Sequence, residues 1–221
     1  MSNAYTLLIG SRNLSSWSLR GWLAVKLTGV PFETKLFNFH TTERAQIAKT
    51  SPSGMVPALT VARAGQAPFW VWDSLAIGEF LAEAHPSSHL WPEDAWARAR
   101  ARSVSAEMHS GFADLRRTCP MDILKRVHDH PLTDDTKRNI ERIQLLWRDC
   151  RRDFGHGGDF LFGSFSVADC FYAPVVTRFV TYGIAMDGTA RAYADAITSW
   201  AAMKEWTEDA AHEEEVRKAG G

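Results

Sequence analysis

The chain has 221 residues, which is long for one domain core and comfortable for two. Hydrophobic residues make up 45% and charged residues 23%, the proportions of an ordinary water-soluble globular protein. The formal net charge of -1 gives no overall field that would favour nucleic acid or an anionic membrane, and no apolar stretch approaches the length that spans a bilayer.

The first 84 residues alternate between strand-like and helix-like segments. The run from Tyr5 to Gly10 is short, apolar and closed by glycine, which predicts a buried strand. Leucines recur at intervals of four from Leu19 to Leu27 and Gly29 follows them, which predicts a helix with a glycine C-cap. The resulting order β-α-β-α-β-β-α is that of a thioredoxin-like domain. The predicted strands are 5–10, 32–37, 58–62 and 68–72, and the predicted helices are 16–28, 41–49 and 75–84.

After Glu93 the pattern changes to helices alone. Residues 85–93 carry prolines and serines, the composition of a linker between domains. We therefore predict a thioredoxin-like domain over 1–84 and an all-helical domain over 94–221. The last residues, from Glu213 onward, are expected to be frayed. The predicted helices of the second domain are 94–118, 133–154, 166–182, 189–194 and 199–210.

Cysteine usage and the N-terminus bear on the cellular compartment. The three cysteines, Cys119, Cys150 and Cys170, show neither CxxC nor zinc-like spacing. No disulfide framework and no metal site is predicted from them. Residues 1–4 lack a basic segment followed by an apolar one, so no secretory signal is expected. The expected location is the cytoplasm.

Three motifs stand in a fixed order along the chain. Residues 15–20, Ser-Ser-Trp-Ser-Leu-Arg, open the first helix, and residues 74–81, Ser-Leu-Ala-Ile-Gly-Glu-Phe-Leu, open the third. Residues 166–169, Ser-Val-Ala-Asp, form a capping-box pattern in the helical half. Together they resemble the cytosolic glutathione S-transferases of the serine type, nearest the zeta-like bacterial members. Trp17 stands where the zeta proteins have cysteine.

The resemblance implies an enzyme that activates the thiol of bound glutathione. A free thiol has a pKa near about 8.5, and the thiolate is the nucleophile. Lowering this pKa by about two units takes about 2.7 kcal/mol. A hydroxyl hydrogen bond at a helix N-terminus could supply it. Ser15 matches the first family serine and is the predicted donor, and Ser16 is the close competitor. Serine is also an ordinary helix N-cap, so either residue could have that role alone.

The resemblance also implies which residues hold glutathione. In the family the bond before Pro57 is cis, and Val56 would pair its backbone with the cysteinyl unit as an added strand does. Ser74 and the helix N–H groups suit the γ-glutamyl carboxylate, while Asp73 suits its ammonium group. Both residues are also ordinary helix caps. His40 lies where the family often places a polar side chain for the glycine carboxylate, although a lone histidine is usually a surface residue.

The electrophile is expected between the first domain and the helix 94–118. Candidate residues recur there at intervals of three and four, a spacing that core and interface positions share. An arginine exposed in the cleft would favour an anionic substrate. Arg20 is interpreted as structural, and Asp169 as a cap that serves folding. The candidates are Met108, His109, Phe112 and Arg116, with Arg178 and Tyr182 on a later helix.

The leading hypothesis is a glutathione S-transferase acting on small, largely apolar electrophiles, with glutathione as co-substrate. The second is a glutathione-dependent cis-trans isomerase of the maleylacetoacetate type. The third, from another class, is a non-catalytic binding module with the same fold. The resemblance implies a homodimer, and neither a nucleic acid nor a membrane is expected as a partner.

Overall fold

The computed structural model describes residues 4–219 and contains one mixed four-stranded sheet followed by helices. Residues 1–3, on which the expectation of no secretory signal largely depends, and residues 220–221 lie outside the described part. The strands are β1 (Ala4–Gly10), β2 (Phe32–Phe37), β3 (Ala58–Ala62) and β4 (Phe69–Trp72). The helices are α1 (Ser16–Thr28), α2 (Arg44–Thr50), α3 (Ser74–Ala84), α4 (Ala95–Ser110), α5 (Ala113–Thr118), α6 (Asp134–Phe154), α7 (Val167–Thr181), α8 (Gly188–Ser199) and α9 (Ala201–Ala219), with a 3₁₀ turn at Pro86–Ser88.

The sheet has the strand order β2-β1-β3-β4, in which β1 and β2 are parallel and the other pairs are antiparallel. β1 is an inner strand, and successive side chains point to opposite faces. Leu7 and Ile9 join the large core cluster with α1 and α3, while Leu8 joins a small cluster with Ile47 of α2. Burial on both faces explains the uninterrupted apolar run in β1. The thioredoxin-like first half and the all-helical second half are confirmed.

α1 begins and ends where the sequence predicts. Gly29 follows it with φ of 72°, and its N–H donates to the carbonyl of Lys26 at 3.1 Å. The left-handed conformation at this position is one that glycine adopts without a Cβ penalty. On its far side α1 packs against α7, which is buried along nearly its whole length and also contacts α4 and α8. α7 therefore joins the two halves of the molecule. Within residues 4–219 no helix is both long enough and apolar enough to cross a membrane.

The prediction of one helix over 94–118 is wrong, because the chain breaks at Gly111 and Phe112. Phe112 has φ of 58°, a left-handed conformation that no helix continues through. The guanidinium of Arg116 turns back and donates to the carbonyl of Gly111 at 3.2 Å and to that of His109 at 3.2 Å. These bonds satisfy the free carbonyls at the end of α4. The break depends on a side chain five residues further on, which the local helical pattern does not reveal.

The C-terminal helices are longer than predicted, and the expected fraying after Glu213 is also wrong for the described residues. α8 runs over Gly188–Ser199 and α9 over Ala201–Ala219. The backbone N–H of Arg12 donates to Glu213 Oε2 at 3.1 Å, and the Arg12 guanidinium pairs with the same carboxylate. Trp206 Nε1 donates to the Arg12 carbonyl at 3.1 Å. The last helix is thus held by the loop that precedes α1, a long-range contact that no local pattern reports.

The capping box at the start of α7 is present, as predicted. Asp169 Oδ2 accepts from Ser166 N at 2.8 Å, and Oδ1 accepts from Leu161 N at 3.1 Å and from the Tyr193 hydroxyl at 3.0 Å. The side chain is fully buried, and burial raises the pKa of Asp169 to about 6. One carboxyl group therefore fixes the helix start, the preceding loop and α8 together.

Replacing Asp169 with Asn should lower the free energy of unfolding by about 2 kcal/mol, because an amide NH₂ would face buried donors. Urea unfolding measures the change. Asp94→Asn is the matched control: Asp94 caps α4 at an exposed position, accepting from Trp96 N and Ala97 N, and asparagine caps as well as aspartate. Equal losses in the two variants would contradict a special role for the buried cap.

The stability difference between wild type and Asp169→Asn should also depend on pH, with a sign that the pKa of Asp169 determines. The pKa of Asp169 in the folded protein, about 6, lies above the value of about 3.9 for a free aspartate. A raised pKa in the folded state means that the stabilisation is fully present at low pH and is lost as the pH rises through the folded value. The stability difference between wild type and Asp169→Asn should therefore be larger at about pH 5 than at about pH 7.5.

Candidate active site

A cleft of about 400 Å³ opens where the first turn of α1, the starts of β3 and α3, and the end of α4 meet. Its volume is within the range of small-molecule sites in proteins. It lies between the sheet-containing half and the helical half. The residues that line it are Trp17, Ser53, Met55, Val56, Pro57, Trp72, Asp73, Ser74 and His109.

The cleft wall at the start of β3 contains backbone N–H and C=O groups without hydrogen-bond partners among the described residues. The peptide bond between Val56 and Pro57 is cis, as the resemblance implies. A Cβ on Gly21 of α1 would lie only 2.9 Å from Pro57 Cγ, so glycine allows α1 to lie directly against this proline. Within residues 4–219 the backbone of Val56 makes no hydrogen bond to another residue. Its N–H and C=O groups are therefore available to an extended ligand.

The wall at the start of α3 combines a cap with a buried hydroxyl. Asp73 has φ of 75°, an uncommon conformation for a non-glycine residue that is often found at functional sites. Its Oδ1 accepts from Leu75 N at 2.8 Å and from Ala76 N at 3.4 Å. The Ser74 hydroxyl is buried and has no hydrogen-bond partner in the described part of the chain. A ligand acceptor at this point would satisfy it.

His109, at the end of α4, links the two walls of the cleft. Its Nε2 lies 3.2 Å from Asp73 Oδ2, the carboxylate oxygen that does not cap α3. Its ring packs against the Trp17 ring in a T-shaped arrangement, with centroids 5.2 Å apart. Asp73 therefore serves the fold with one oxygen and faces the cleft with the other.

Ser15 is the N-cap of α1, and its hydroxyl is committed to the fold. Its Oγ accepts from Ser18 N at 3.3 Å and donates to Ser18 Oγ at 2.7 Å. Ser18 Oγ in turn accepts from the N–H of Gly10 at the end of β1, at 3.0 Å. The proton of Ser15 is thus directed into the helix start.

Ser16 has the opposite arrangement. Its Oγ accepts a hydrogen bond from Arg178 Nη2 at 3.2 Å, and it donates to none of residues 4–219. Arg178 is buried, and its other nitrogens donate to the carbonyls of Cys119 and Pro174, both at 3.0 Å. Burial and the charge of Arg116 lower the pKa of Arg178 to about 10, so it remains a cation at neutral pH. The Ser16 proton is therefore free, and a cation polarises its oxygen.

Two further arginines lie against Trp17. The Arg20 guanidinium is 4.4 Å from the centroid of the Trp17 ring, and that of Arg116 is 4.7 Å from it. Arg20 is fully buried, and none of its three guanidinium nitrogens has a partner in the described structure. Burial, followed by the charges of Arg116 and Arg178, lowers the pKa of Arg20 well below its usual value.

Four of the predicted glutathione-binding residues, Val56, Pro57, Asp73 and Ser74, line the cleft together. The serine pair lies immediately before the cleft residue Trp17 in the chain. His40 does not line the cleft: its Nε2 is 3.9 Å from Glu214 Oε1 of α9.

The predicted electrophile residues are spread more widely. Met108 is fully buried in the core, and Phe112 is half-buried against it. Arg116 and Arg178 direct most of their donors to backbone carbonyls, and the Tyr182 hydroxyl donates to the carbonyl of Pro120 at 3.0 Å. Of this set only His109 lines the cleft.

Several cleft residues were not among the predicted contacts. They are Trp17, Ser53, Met55 and Trp72. Met55 and Trp72 are 70% and 47% exposed, which is unusual for such large apolar side chains. Each directly precedes a predicted contact, Val56 or Asp73, and this adjacency was the available signal.

Comparison with known proteins gives a consistent result. A model of the glutathione S-transferase N-terminal domain matches residues 14–84, and a model of the C-terminal domain matches residues 133–209. The chain belongs to the glutathione S-transferase superfamily. Two domain models of one superfamily, in the expected order, agree with the sheet-then-helices architecture described above.

Individual relatives are more distant. A probable maleylacetoacetate isomerase of Caenorhabditis elegans is 32% identical over 128 residues, which span 57% of this chain and 56% of that protein. Glutathione S-transferase 1 of Dianthus caryophyllus is 27% identical over 194 residues, 84% of this chain and 82% of that protein. A crystal structure of maleylacetoacetate isomerase from Anaeromyxobacter dehalogenans, with bound dicarboxyethyl glutathione and citrate, has a TM-score of 0.67 and 25% identity, covering 93% of this chain and 91% of that one.

None of the three cysteines lines the cleft. All are buried and unpaired. Burial raises the pKa of Cys119 to about 11 and that of Cys150 to about 12, and it raises the pKa of Cys170 well above its usual value. Buried thiols that remain protonated at neutral pH are poor nucleophiles.

The three thiols should therefore not react with an aromatic disulfide reagent in the native protein at about pH 8, and all should react after unfolding in guanidinium. Release of the coloured thiolate counts the reacting groups. The unfolded sample is the control for reagent and stoichiometry. A thiol that reacts rapidly in the native protein would contradict this expectation and make cysteine chemistry available to the protein.

Proposed function

We propose that the protein is a glutathione S-transferase that activates the thiol of bound glutathione for attack on small, largely apolar electrophiles. The observation that carries the proposal is the free Ser16 hydroxyl, polarised by Arg178, beside a cleft with unpaired polar groups. In this proposal residues 1–84 bind glutathione, residues 85–93 link the domains, and residues 94–221 contribute the electrophile site.

The walls of the cleft suit the two ends of the γ-glutamylcysteine unit. The unpaired Ser74 hydroxyl, at the start of α3, suits the γ-glutamyl carboxylate. Asp73 Oδ2 suits the ammonium group, which would share this oxygen with His109. The free backbone of Val56 suits the cysteinyl unit. Contact of His40 with the glycine carboxylate stays a prediction.

Activation of the thiol requires an environment that favours the thiolate. Ser16 would donate its free proton to the sulfur, and Arg178 behind it would make that hydroxyl a stronger donor. The free N–H groups at the start of α1 add positive potential. The thiol proton leaves to water, and the thiolate attacks the electrophile. Hydrogen-bond geometry thus favours Ser16 over Ser15, whose proton is held by Ser18.

The cleft walls around the proposed sulfur position are aromatic and apolar. Trp17, Met55 and Trp72 supply them, and His109 closes the side toward α4. Such walls suit a small apolar body. A homodimer paired across the two domains remains part of the proposal, with the exposed Trp96 of α4 as one apolar group available to it.

A cis-trans isomerase of the maleylacetoacetate type is the second candidate. It is favoured by the similarity to two proteins of that name. In this reaction the thiolate adds to a double bond, rotation follows, and the same thiolate is expelled. The serine site would serve both reactions, so the electrophile decides between them. The third candidate is a binding module that holds glutathione without turnover.

Titration of bound glutathione, followed by thiolate absorbance in the ultraviolet, tests the activation mechanism. In wild type the pKa of the bound thiol should lie about one to two units below the free value of about 8.5. Ser16→Ala should return it toward the free value. Ser15→Ala is the matched control: it should keep the lowered pKa and instead lower the free energy of unfolding by about 1 kcal/mol, the cost of a lost N-cap.

The reverse pattern, with the pKa restored only by Ser15→Ala, would assign the activation to Ser15. A thiol with an unshifted pKa in wild type would contradict the proposed transferase. If glutathione does not bind, the proposed function is wrong.

Turnover separates the remaining candidates. We expect wild type to conjugate glutathione with a chlorodinitrobenzene, a small apolar aryl halide, and Ser16→Ala to lose most of that rate. Conversion of maleylacetone without net consumption of glutathione would favour the isomerase. Saturable glutathione binding with neither reaction would favour the binding module. Boiled protein is the control for the uncatalysed reactions.

A further inference from the structure

We propose that His109 is a second recognition residue for the γ-glutamyl ammonium group, and that it loses its own proton when this group binds. The inference rests on the proposed function, because the ammonium group is that of bound glutathione. It assigns a role in glutathione binding to a histidine that the sequence pattern places among the electrophile contacts. It also makes the affinity for glutathione depend on pH.

The first step is the position of His109. Its Nε2 lies 3.2 Å from Asp73 Oδ2, and both side chains line the cleft. Asp73 Oδ1 accepts from the backbone N–H groups of Leu75 and Ala76, so Oδ2 is the oxygen left for a ligand. In a γ-glutamyl group the ammonium and the carboxylate are attached to the same carbon atom. A carboxylate held at Ser74 would therefore place the ammonium beside the pair formed by Asp73 and His109.

The second step is the number of acceptors available to a protonated ring. A cationic imidazole carries two N–H donors, whereas a neutral one carries one donor and one acceptor. His109 Nδ1 is buried and has no hydrogen-bond partner in the described part of the chain. Within residues 4–219, Asp73 is the one carboxylate paired with His109. A positive charge on the ring is therefore stabilised by a single group, which the ligand ammonium also needs.

The third step is the charge around the ring. The His109 ring packs against the rings of Trp17 and Phe171, at centroid distances of 5.2 and 5.9 Å. The buried Arg20 guanidinium lies against the same two rings, 4.4 and 5.0 Å from their centroids. The Arg116 guanidinium is 4.7 Å from the Trp17 centroid, and it donates to the His109 carbonyl at 3.2 Å. The ring thus faces cations from α1 and α5, an aromatic side chain from α7 and one carboxylate from α3.

An ammonium group at Asp73 Oδ2 shifts this balance. A protonated His109 and the ammonium would share one carboxylate oxygen close to two guanidinium groups, and like charges oppose that arrangement. Release of the His109 proton to solvent removes one of the two competing charges. With the remaining ring proton on Nδ1, Nε2 accepts a hydrogen bond from the ammonium. Glutathione should therefore bind more weakly as the pH falls and imidazole becomes protonated.

Calorimetry with S-methylglutathione and the full-length protein tests the proposal. This ligand has no thiol to ionise, and its carboxylates and ammonium group keep their charges between about pH 5.5 and 7. Wild type should bind it about five- to tenfold more tightly at the upper end of this range than at the lower end, the change expected when binding requires the loss of one histidine proton. Titrations in buffers of different ionisation enthalpy count the protons released, and at the lower pH the count should approach one.

A ligand without the amino group isolates the contribution of the ammonium. S-methyl-glutarylcysteinylglycine lacks only this group of S-methylglutathione. Because nothing then displaces a protonated His109 from Asp73, its affinity for wild type should change by less than about twofold over the same pH range. Equal pH dependence for the two ligands would overturn the proposal, and this comparison needs no variant to fold.

Variants assign the proton to one residue. His109→Gln keeps a polar side chain at this position but takes up no proton, so it should bind S-methylglutathione with an affinity independent of pH and release no proton. His89→Gln is the matched control: His89 Nδ1 lies 2.8 Å from Glu93 Oε1, so it too is a histidine beside a carboxylate, but it does not line the cleft. This variant should retain the pH dependence of wild type.

Three further results have defined meanings. Binding of S-methylglutathione to wild type with the same affinity across the pH range would overturn the proposal. A pH dependence that survives in His109→Gln would place the released proton elsewhere and overturn it as well. If S-methylglutathione binds at no pH in the range, the proposed function fails, and this result is distinguishable from a loss of pH dependence alone.

Discussion

The buried guanidinium of Arg178 is the interaction on which the arrangement of the two halves depends. It donates to Ser16 of α1, to Pro174 within its own helix α7 and to Cys119 at the end of α5. One cation therefore fixes the start of the helix that borders the cleft relative to the core of the helical half. Removing it would leave two carbonyls without these donors and free the first turn of α1. The same three hydrogen bonds therefore hold the cleft helix in position and connect the two halves.

The adjacent hydroxyls at the start of α1 have divided roles. Ser15 and Ser18 form a closed set with the N–H of Gly10, which holds the helix start to the end of β1. Ser16 accepts from Arg178 and donates to none of residues 4–219, so its proton is free. The proposed role of Ser16 needs a hydroxyl that is held in place while its proton stays free. A cation that donates to the oxygen meets both requirements, whereas a carboxylate partner would accept the proton.

The sequence predicts the strands and most helices, because these depend on local periodicity and caps. It does not predict the break at Phe112, where the Arg116 side chain turns back to the carbonyls that end α4. Nor does it predict the full length of α9, which Arg12 contacts from 201 positions away in the chain. In the site, motifs indicate Val56, Pro57, Asp73 and Ser74, which do line the cleft. Motifs cannot show that the Ser15 proton is committed or that the Arg20 guanidinium has no hydrogen-bond partner within residues 4–219. Such facts depend on which side chains meet after folding.

The Trp17 ring contacts two buried arginines and also lines the apolar cleft. Two guanidinium groups of like charge would repel across open space, and an aromatic ring near both offers each a favourable face. The ring therefore lowers the cost of keeping Arg20 buried in the absence of an anion. It cannot remove that cost, because a ring face attracts a cation less strongly than a carboxylate does. The charge of Arg20 is therefore offset in part by the ring and in part by the more distant carboxylate of Asp73.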